Sequence, residues 1–160
     1  MSNIFITAAT VLSGLLAGLF YGYDCSVIKG LGKLPDREYL TAFQHINREI
    51  QNPYFFISLM GALILHPLAV WIYYKESGNY SAWLIAAVFF YWIGAFGITI
   101  VANVPLNNWI DGIKLENLDT EALHTIRAKF ESNWNKWHHV RTYAAILSFC
   151  CSVLSLIKLK

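Results

Sequence analysis

Residues 98–110 read ITIVANVPLNNWI, an apolar run that leads directly into a proline and several amides. The apolar part is typical of a membrane-spanning helix, and Pro105, which lacks a backbone N–H, is expected to bend or end that helix. Amides at the mouth of a membrane helix are costly unless they find hydrogen-bond partners. We therefore expect Asn103 and Asn107 to meet two other polar segments, residues 44–52 and 134–141, in one site on one side of the membrane.

The composition is that of a membrane protein. Of the 160 residues, 56% are hydrophobic and 14% are charged, whereas a soluble domain typically carries about 25% charged residues. The formal net charge is only +2 and the basic residues are scattered, so no nucleic-acid partner is expected. The expected partner is the lipid bilayer. The three cysteines form no disulfide pattern, because Cys150 and Cys151 are adjacent and Cys25 is alone.

Four apolar stretches predict an all-α fold, a four-helix transmembrane bundle in a single membrane domain over residues 1–160. About 20 helical residues cross the roughly 30 Å hydrocarbon core. The short connection of residues 75–80 predicts an antiparallel hairpin of the second and third spans. Gly14, Gly18 and Gly22 recur every four residues in the first span and predict a smooth face for close helix packing, expected in the bundle interior, with a dimer interface as the alternative. The spans are expected at approximately residues 4–23, 54–74, 81–104 and 140–157.

Two further helical segments are expected outside these spans. In residues 36–51, Leu40, Phe43, Asn47 and Ile50 share one broad face, which predicts an amphipathic helix on the membrane surface. The apolar periodicity of the last span extends back to Asp119, so residues 119–139 are predicted to continue that helix out of the membrane.

An even number of spans places both termini on one side of the membrane and both long connections on the other. Three of the twelve Lys and Arg residues lie on the terminal side, namely Lys75, Lys158 and Lys160. The remaining nine lie on the side of the long connections, and this bias predicts that the long connections are cytoplasmic. Those nine are Lys29, Lys33, Arg37, Arg48, Lys114, Arg127, Lys129, Lys136 and Arg141.

Several polar residues are candidates for the site, each with a simpler alternative. Gln44 and Asn47 are three residues apart and share one face of the predicted helix. His45 lies about 100° around that helix from Gln44. The simpler alternative is that all three side chains are solvated at the membrane interface. Asn52 belongs to the site or caps the second span. Asn103 lies within the apolar stretch of the third predicted span and therefore needs a buried hydrogen-bond partner. Asp24 ends the first predicted span, close enough to pair with Arg141.

The histidines give no metal pattern. His138 and His139 are adjacent and diverge by about 100° on a helix, whereas chelating pairs are usually four residues apart. No metal and no cofactor are therefore expected. His66, near the middle of the second span, is either a hydrogen bonder in the bundle interior or a haem or proton-relay residue.

The order of motifs resembles that of the anthrone oxygenase-like family of small four-span membrane proteins. The resemblance rests on a glycine-rich first span, FQHINREIQNPYF (43–55), VANVPLNNWI (101–110) and WNKWHHVRT (134–142). One departure is His138, which stands where the family pattern would place Asn. The polar residues implied by the resemblance are Gln44, Asn47, Asn52, Asn103, Pro105, Asn107, Trp137 and Arg141.

The resemblance implies a specific chemistry, cofactor-independent oxidation of an anthrone-like polycyclic phenol. Oxygen can attack such a phenol once its benzylic carbon is deprotonated, so the enzyme needs a base and a site for the developing anion. His45 or His138 is the candidate base near neutral pH. Trp134 and Trp137 are candidates for stacking on the rings. The candidate donors to the anion are Asn47, Asn103, Asn107 and Arg141.

A non-catalytic protein is the alternative. In that interpretation the amides lock the last helix onto the surface helix, or the site holds a lipid or another hydrophobic small molecule. No carboxylate in the sequence has a convincing role as a base, which keeps this alternative open.

Overall fold

The computed structural model of the chain describes residues 2–77 and 81–158. Within these residues the chain is almost wholly helical and contains no strand. Residues 78–80, half of the predicted hairpin connection, lie outside the described part. In chain order the helices are α1 (Asn3–Leu31), α2 (Asp36–Glu49), α3 (Pro53–Ser77), α4 (Ala82–Asp111) and α5 (Thr120–Lys158).

Helices α1, α3, α4 and α5 are each long and apolar enough to cross a membrane. Helix α5 has 39 residues, and at 1.5 Å per residue it is about 58 Å long. Because the hydrocarbon core is only about 30 Å thick, part of α5 must lie outside it. The predicted four-helix bundle with a surface helix and a long last helix is therefore confirmed, and the protein is an integral, multi-pass membrane protein.

Helices α1 and α4 contain π-helical segments, which sequence periodicity did not predict. Helix α1 does not end near Asp24 but continues to Leu31 through the segment Tyr23–Val27. Helix α4 contains the segments Phe90–Gly97 and Thr99–Asn103, and it continues past Pro105 to Asp111. Pro105 does not end α4 because it falls in the first turn after a π-helical segment, where the regular hydrogen-bond ladder is already interrupted.

Helix α1 packs against α3 and α5, and α5 also packs along α4. Helix α3 contacts α4 over residues 82–97, near their connection, but makes no comparable contact with the rest of α4. The membrane core contains Leu16, Phe20, Leu59, Tyr91 and Ala145.

A second core lies under α2, whose buried face packs on the end of α4 and the first half of α5. It contains Tyr39, Leu40, Phe43, Phe130 and Trp134. Arg127 ties the connection before α2 to α5, because it donates to the Leu34 carbonyl at 2.6 Å and to Asp36 at 2.9 Å. Burial, together with the Glu131 carboxylate, raises the pKa of the Tyr39 phenol, so this side chain stays neutral.

The expectation that these glycines pack inside the bundle is largely wrong. A Cβ atom on Gly18 or Gly22 would meet open space, and one on Gly14 would meet only the Phe149 ring. A four-residue repeat drifts about 40° per step around an α-helix, so these glycines leave the buried stripe of α1. The close approaches are elsewhere, because a Cβ atom on Gly94 would overlap the Ala144 side chain.

His66 is a buried residue of the bundle interior. Its Nε2 lies 2.8 Å from the Ser152 hydroxyl of α5, and its ring lies 5.3 Å from the Tyr91 ring. This placement fits the first of the two interpretations of His66, a hydrogen bonder that joins α3 to α5.

Candidate functional site

All five helices enclose a cavity of about 310 Å³ at the end of the bundle away from the α3–α4 connection. This volume is at the lower end of the roughly 300–1,000 Å³ range of small-molecule pockets. Most of its walls are apolar or aromatic, and they include Phe20, Tyr23, Phe43, Phe55 and Trp134. The polar lining residues are Asn47, Gln51, Thr99, Asn107, Asn108, His138 and Arg141.

Arg141 is the cation of this cavity, and its residue is only 7% exposed. Its Nη1 donates to Thr99 Oγ1 at 3.2 Å, and its Nε and Nη2 donate to His138 Nδ1 at 3.1 and 2.9 Å. Its Cζ lies 4.3 Å from the centroid of the Phe20 ring. A guanidinium has five N–H donors, and these bonds use three. Two N–H donors are therefore not used by the hydrogen bonds found among the described residues.

The hydrogen bonds of His138 fix its tautomer. Arg141 can only donate, so His138 Nδ1 accepts, and Nε2 carries the proton that it donates to the Phe20 carbonyl at 3.2 Å. The Trp134 ring stacks on the imidazole at a centroid distance of 4.6 Å and an angle of 11°. The only lone pair of this neutral ring is therefore occupied by Arg141.

Asp24 lies behind this pair, on the π-helical segment of α1. Its Oδ1 is 2.9 Å from His139 Nδ1 and 3.4 Å from His138 Nε2. No hydrogen bond between Asp24 and Arg141 occurs in the described part of the chain, so the expected direct pair is not formed. The reason is that the guanidinium points inward toward Thr99, whereas Asp24 faces the two histidines.

The amides of α4 bind Trp134 rather than Arg141. Asn107 Oδ1 accepts from the Trp134 indole N–H at 2.7 Å, and Asn107 also lines the cavity. Asn103 is fully buried, and its Nδ2 donates to the Trp134 carbonyl at 3.3 Å. Asn47 lines the cavity, with its Nδ2 at 3.5 Å from the Asn107 backbone carbonyl. The amides therefore set the position of the indole that forms one wall.

Neither Asp24 nor Asn103 lines the cavity, and the same is true of four other candidates. Gln44 donates to the carbonyls of Ile110 and Ile113 at 2.8 and 2.9 Å and so closes the end of α4. Asn52 Oδ1 accepts from the Phe55 N–H at 3.1 Å and caps α3. His45 is exposed, because it lies about 100° around α2 from Gln44.

Trp137 is the fourth of these residues. It is 37% exposed and lies in a shallow groove on the outer face of α4, with Asn133 and Pro105. Trp134, His138 and Arg141 recur at four and three residues and share the inner face of α5. Trp137 is one residue before His138 and therefore faces away from the cavity.

Some residues of the site had no signal in the sequence. Thr99 is the direct partner of Arg141, yet it lies in an apolar run where a threonine is unremarkable. Tyr23 lies against both Trp134 and His138, at 5.8 and 5.5 Å between ring centroids. Among the described residues, no three His, Cys, Asp or Glu side chains come together as a possible metal site.

The family model described as anthrone oxygenase matches residues 53–151, more than half of the 160-residue chain. No curated protein and no solved structure matches the chain. The matched segment includes Asn103, Asn107, Trp134 and Arg141, whereas residues 24–52 precede it. The chain therefore belongs to the anthrone oxygenase family.

Proposed function

We propose that the protein is a cofactor-independent oxygenase that oxidises an anthrone-like polycyclic phenol in the cavity around Arg141. The observation that carries the proposal is a buried guanidinium with two N–H donors to spare, inside an aromatic-lined cavity. A buried cation of this kind favours an anionic oxygen as its ligand. Family membership supports the choice of an anthrone-like compound.

The walls fit a flat aromatic ligand with one charged edge. Phe20, Phe43 and Trp134 offer ring faces and edges for stacking. The oxygen of the ligand would bind Arg141, and Asn107 or Asn108 would bind a second oxygen at the polar side. Because the lining is mostly apolar, a charge-assisted hydrogen bond in this cavity is stronger than in solution.

The reaction follows from stabilisation of the anion. When the benzylic CH₂ of the substrate loses one proton, negative charge develops on the oxygen of the conjugated carbonyl group, where Arg141 binds it. The carbanion attacks O₂ and forms a C–O bond, and the resulting peroxide takes up a proton. The second C–H proton then leaves as the O–O bond breaks, which gives a quinone carbonyl and one water. The carbon loses four electrons and O₂ gains four, so no other reductant is needed.

This proposal revises the role of the histidines. His138 positions Arg141, because its Nδ1 lone pair is already occupied. His45 is outside the cavity and has no part in the scheme. The first proton passes to water at the polar mouth formed by Gln51 and Asn108, which are both exposed lining residues.

The test uses the protein purified in detergent with 1,8-dihydroxyanthrone as the probe. Oxygen uptake and formation of the quinone are followed together, and the protein-free rate of oxidation is subtracted. We expect one O₂ consumed per quinone formed, at a rate proportional to protein concentration. A rate no higher than the protein-free rate would refute the oxygenase proposal.

Non-catalytic binding of a lipid or a hydrophobic small molecule is the second candidate. One specific observation favours it. Among the described residues that line the cavity, no histidine or carboxylate is free to take up a proton, because His138 Nδ1 already accepts from Arg141. Binding of the probe without oxygen uptake would support it. Mass spectrometry of molecules that co-purify with the protein would then identify the ligand.

A further inference from the structure

We infer that the aromatic substrate reaches Arg141 from within the bilayer, through a membrane portal between α3 and α4 formed by Phe56 and Ile100. This inference rests on the proposed function, because it names the phase from which that substrate comes. Both residues line the cavity, and both are also widely exposed on the outside, Phe56 at 45% and Ile100 at 47%. The same side chains therefore belong to the cavity wall and to the lipid-facing surface.

The packing of the hairpin explains why an opening exists here. Helices α3 and α4 pack together over the part of α4 near their connection, up to Gly97. They make no comparable contact where the start of α3 passes Thr99–Asn103. Phe56 is in the first turn of α3, and Ile100 is in the second π-helical segment of α4. The portal therefore lies where α3 and α4 no longer pack closely against each other.

Most of the other side chains that line the cavity are buried or half-buried, although Leu19 of α1 is 38% exposed. Helix α2 covers the end of the bundle with Phe43 and Asn47, and α1 and α5 close the far side with Phe20 and Trp134, all of which are buried. A second, polar opening is formed by Gln51 and Asn108. The cavity therefore has an apolar opening toward lipid as well as a polar opening toward water.

The chemistry of the substrate decides between these routes. A polycyclic phenol places its rings in the hydrocarbon and its hydroxyls near the headgroups, like the amphipathic side chains Tyr and Trp. The portal lies one turn from the start of α3, close to the polar opening. A ring system that slides in past Phe56 and Ile100 keeps its apolar surface out of water, while its hydroxyls stay beside Asn108. The polar opening then serves water and protons.

The experiment measures the rates of binding as well as the affinity. Wild type and variants are reconstituted in phosphatidylcholine vesicles under nitrogen, which prevents oxidation, and mixed rapidly with 1,8-dihydroxyanthrone. Binding is followed by quenching of tryptophan fluorescence. Ile100→Trp narrows the portal, so we expect association and dissociation both to slow at least tenfold while Kd changes less than threefold. Phe56→Ala widens it and should accelerate both.

The matched control is Ile57→Trp. Ile57 is the neighbour of Phe56 and is 60% exposed, but it does not line the cavity, and its variant carries the same extra tryptophan as Ile100→Trp. Its rates should equal those of the wild type. Unchanged rates in both portal variants would overturn the inference, as would slowing by Asn108→Trp instead. A tenfold higher Kd in Ile100→Trp with an unchanged association rate would also overturn it.

The same experiment separates the route from the function. If the probe does not quench the wild type, the proposed function fails and the inference fails with it. If the probe binds but its rates are the same in the wild type and in the Phe56 and Ile100 variants, only the proposed route is wrong. If the portal variants behave as expected but admission of air gives no quinone, the route stands and the protein is a binding protein.

Discussion

His138 Nδ1 accepts hydrogen bonds from both Nε and Nη2 of Arg141, at 3.1 and 2.9 Å. The two residues are three apart on α5, so one helical turn holds a cation and the acceptor that orients it. Two N–H donors of the guanidinium are not used by the hydrogen bonds found among the described residues. In the proposed function this relationship makes Arg141 the anion site and gives His138 a supporting role, which leads to the first two predictions.

Arg141→Lys is expected to lower turnover of 1,8-dihydroxyanthrone at least tenfold, about 1.4 kcal/mol. The charge is kept, but an ammonium cannot bond Thr99, His138 and the substrate oxygen with the geometry of the planar guanidinium. Oxygen uptake at saturating probe measures the effect. Lys136→Ala, a change outside the cavity lining, is the control and should behave as the wild type. Equal rates for Arg141→Lys and wild type would exclude Arg141 as the anion site.

His138→Asn should retain turnover within about fivefold of the wild type, whereas His138→Ala should lose at least tenfold, again about 1.4 kcal/mol. An Asn oxygen can accept from Arg141 as Nδ1 does, but Ala leaves the buried guanidinium without that partner. The comparison of the two variants by oxygen uptake checks the supporting role. If His138 were the base, both variants would be equally inactive.

Asn107→Ala is expected to destabilise the protein by about 1–3 kcal/mol. The indole N–H of Trp134 would lose its acceptor at 2.7 Å in an almost fully buried position. Thermal unfolding in detergent measures the change. Asn108→Ala is the matched control, because the neighbouring amide is exposed. A loss of stability of the same size in both variants would mean that the Asn107–Trp134 hydrogen bond does not contribute measurably to the stability of the protein.

Gly94→Leu should destabilise the bundle by at least about 1–3 kcal/mol, the usual cost of overpacking. Any Cβ atom at this position overlaps Ala144, so α4 and α5 would have to separate. Gly18→Leu should be nearly neutral, because a side chain there meets open space. Thermal stability of the two variants in detergent checks both statements. If Gly18→Leu were less stable than Gly94→Leu, the glycine face of α1 would be a packing surface of the bundle after all.

The orientation in the membrane stays a prediction from the distribution of Lys and Arg. A reporter fused after Lys160 should behave as non-cytoplasmic, and one inserted between residues 112 and 119 should behave as cytoplasmic. The pair of fusions is its own control, because the two reporters must give opposite results in a four-span protein. Cytoplasmic behaviour of the terminal fusion would reverse the orientation and leave the fold unchanged.

The fold was predictable because its signals are local. An apolar run long enough to span a bilayer can be read directly from residues 4–23 or 54–74, and the three- and four-residue periodicity before Thr142 predicted the long helix Thr120–Lys158. The π-helical segments were not predictable, because they depend on how α1 and α4 pack rather than on any residue type. This is why the continuation of both helices beyond Asp24 and Pro105 was missed.

The site was predictable only in part. The three predicted segments lie together at one end of the bundle, and Arg141, Trp134 and Asn107 line one cavity. Their partners were wrong, because a bond such as Arg141 to Thr99 joins residues 42 positions apart. Spacing along one helix tells which residues share a face, but it does not tell which distant helix that face meets.

The π-helical segments of α4 also determine which way the side chains after Asn103 face around the helix axis. A π-helical turn holds about one residue more than an α-helical turn, and one residue corresponds to about 100° of rotation. Everything after Asn103 is therefore turned relative to the register of Ala82–Phe89, the part of α4 that packs on α3. If α4 were an unbroken α-helix, Asn107 would face a different neighbour and Trp134 would lose its acceptor. The widened turns therefore set the rotation between the half of α4 that packs in the bundle and the half that lines the cavity.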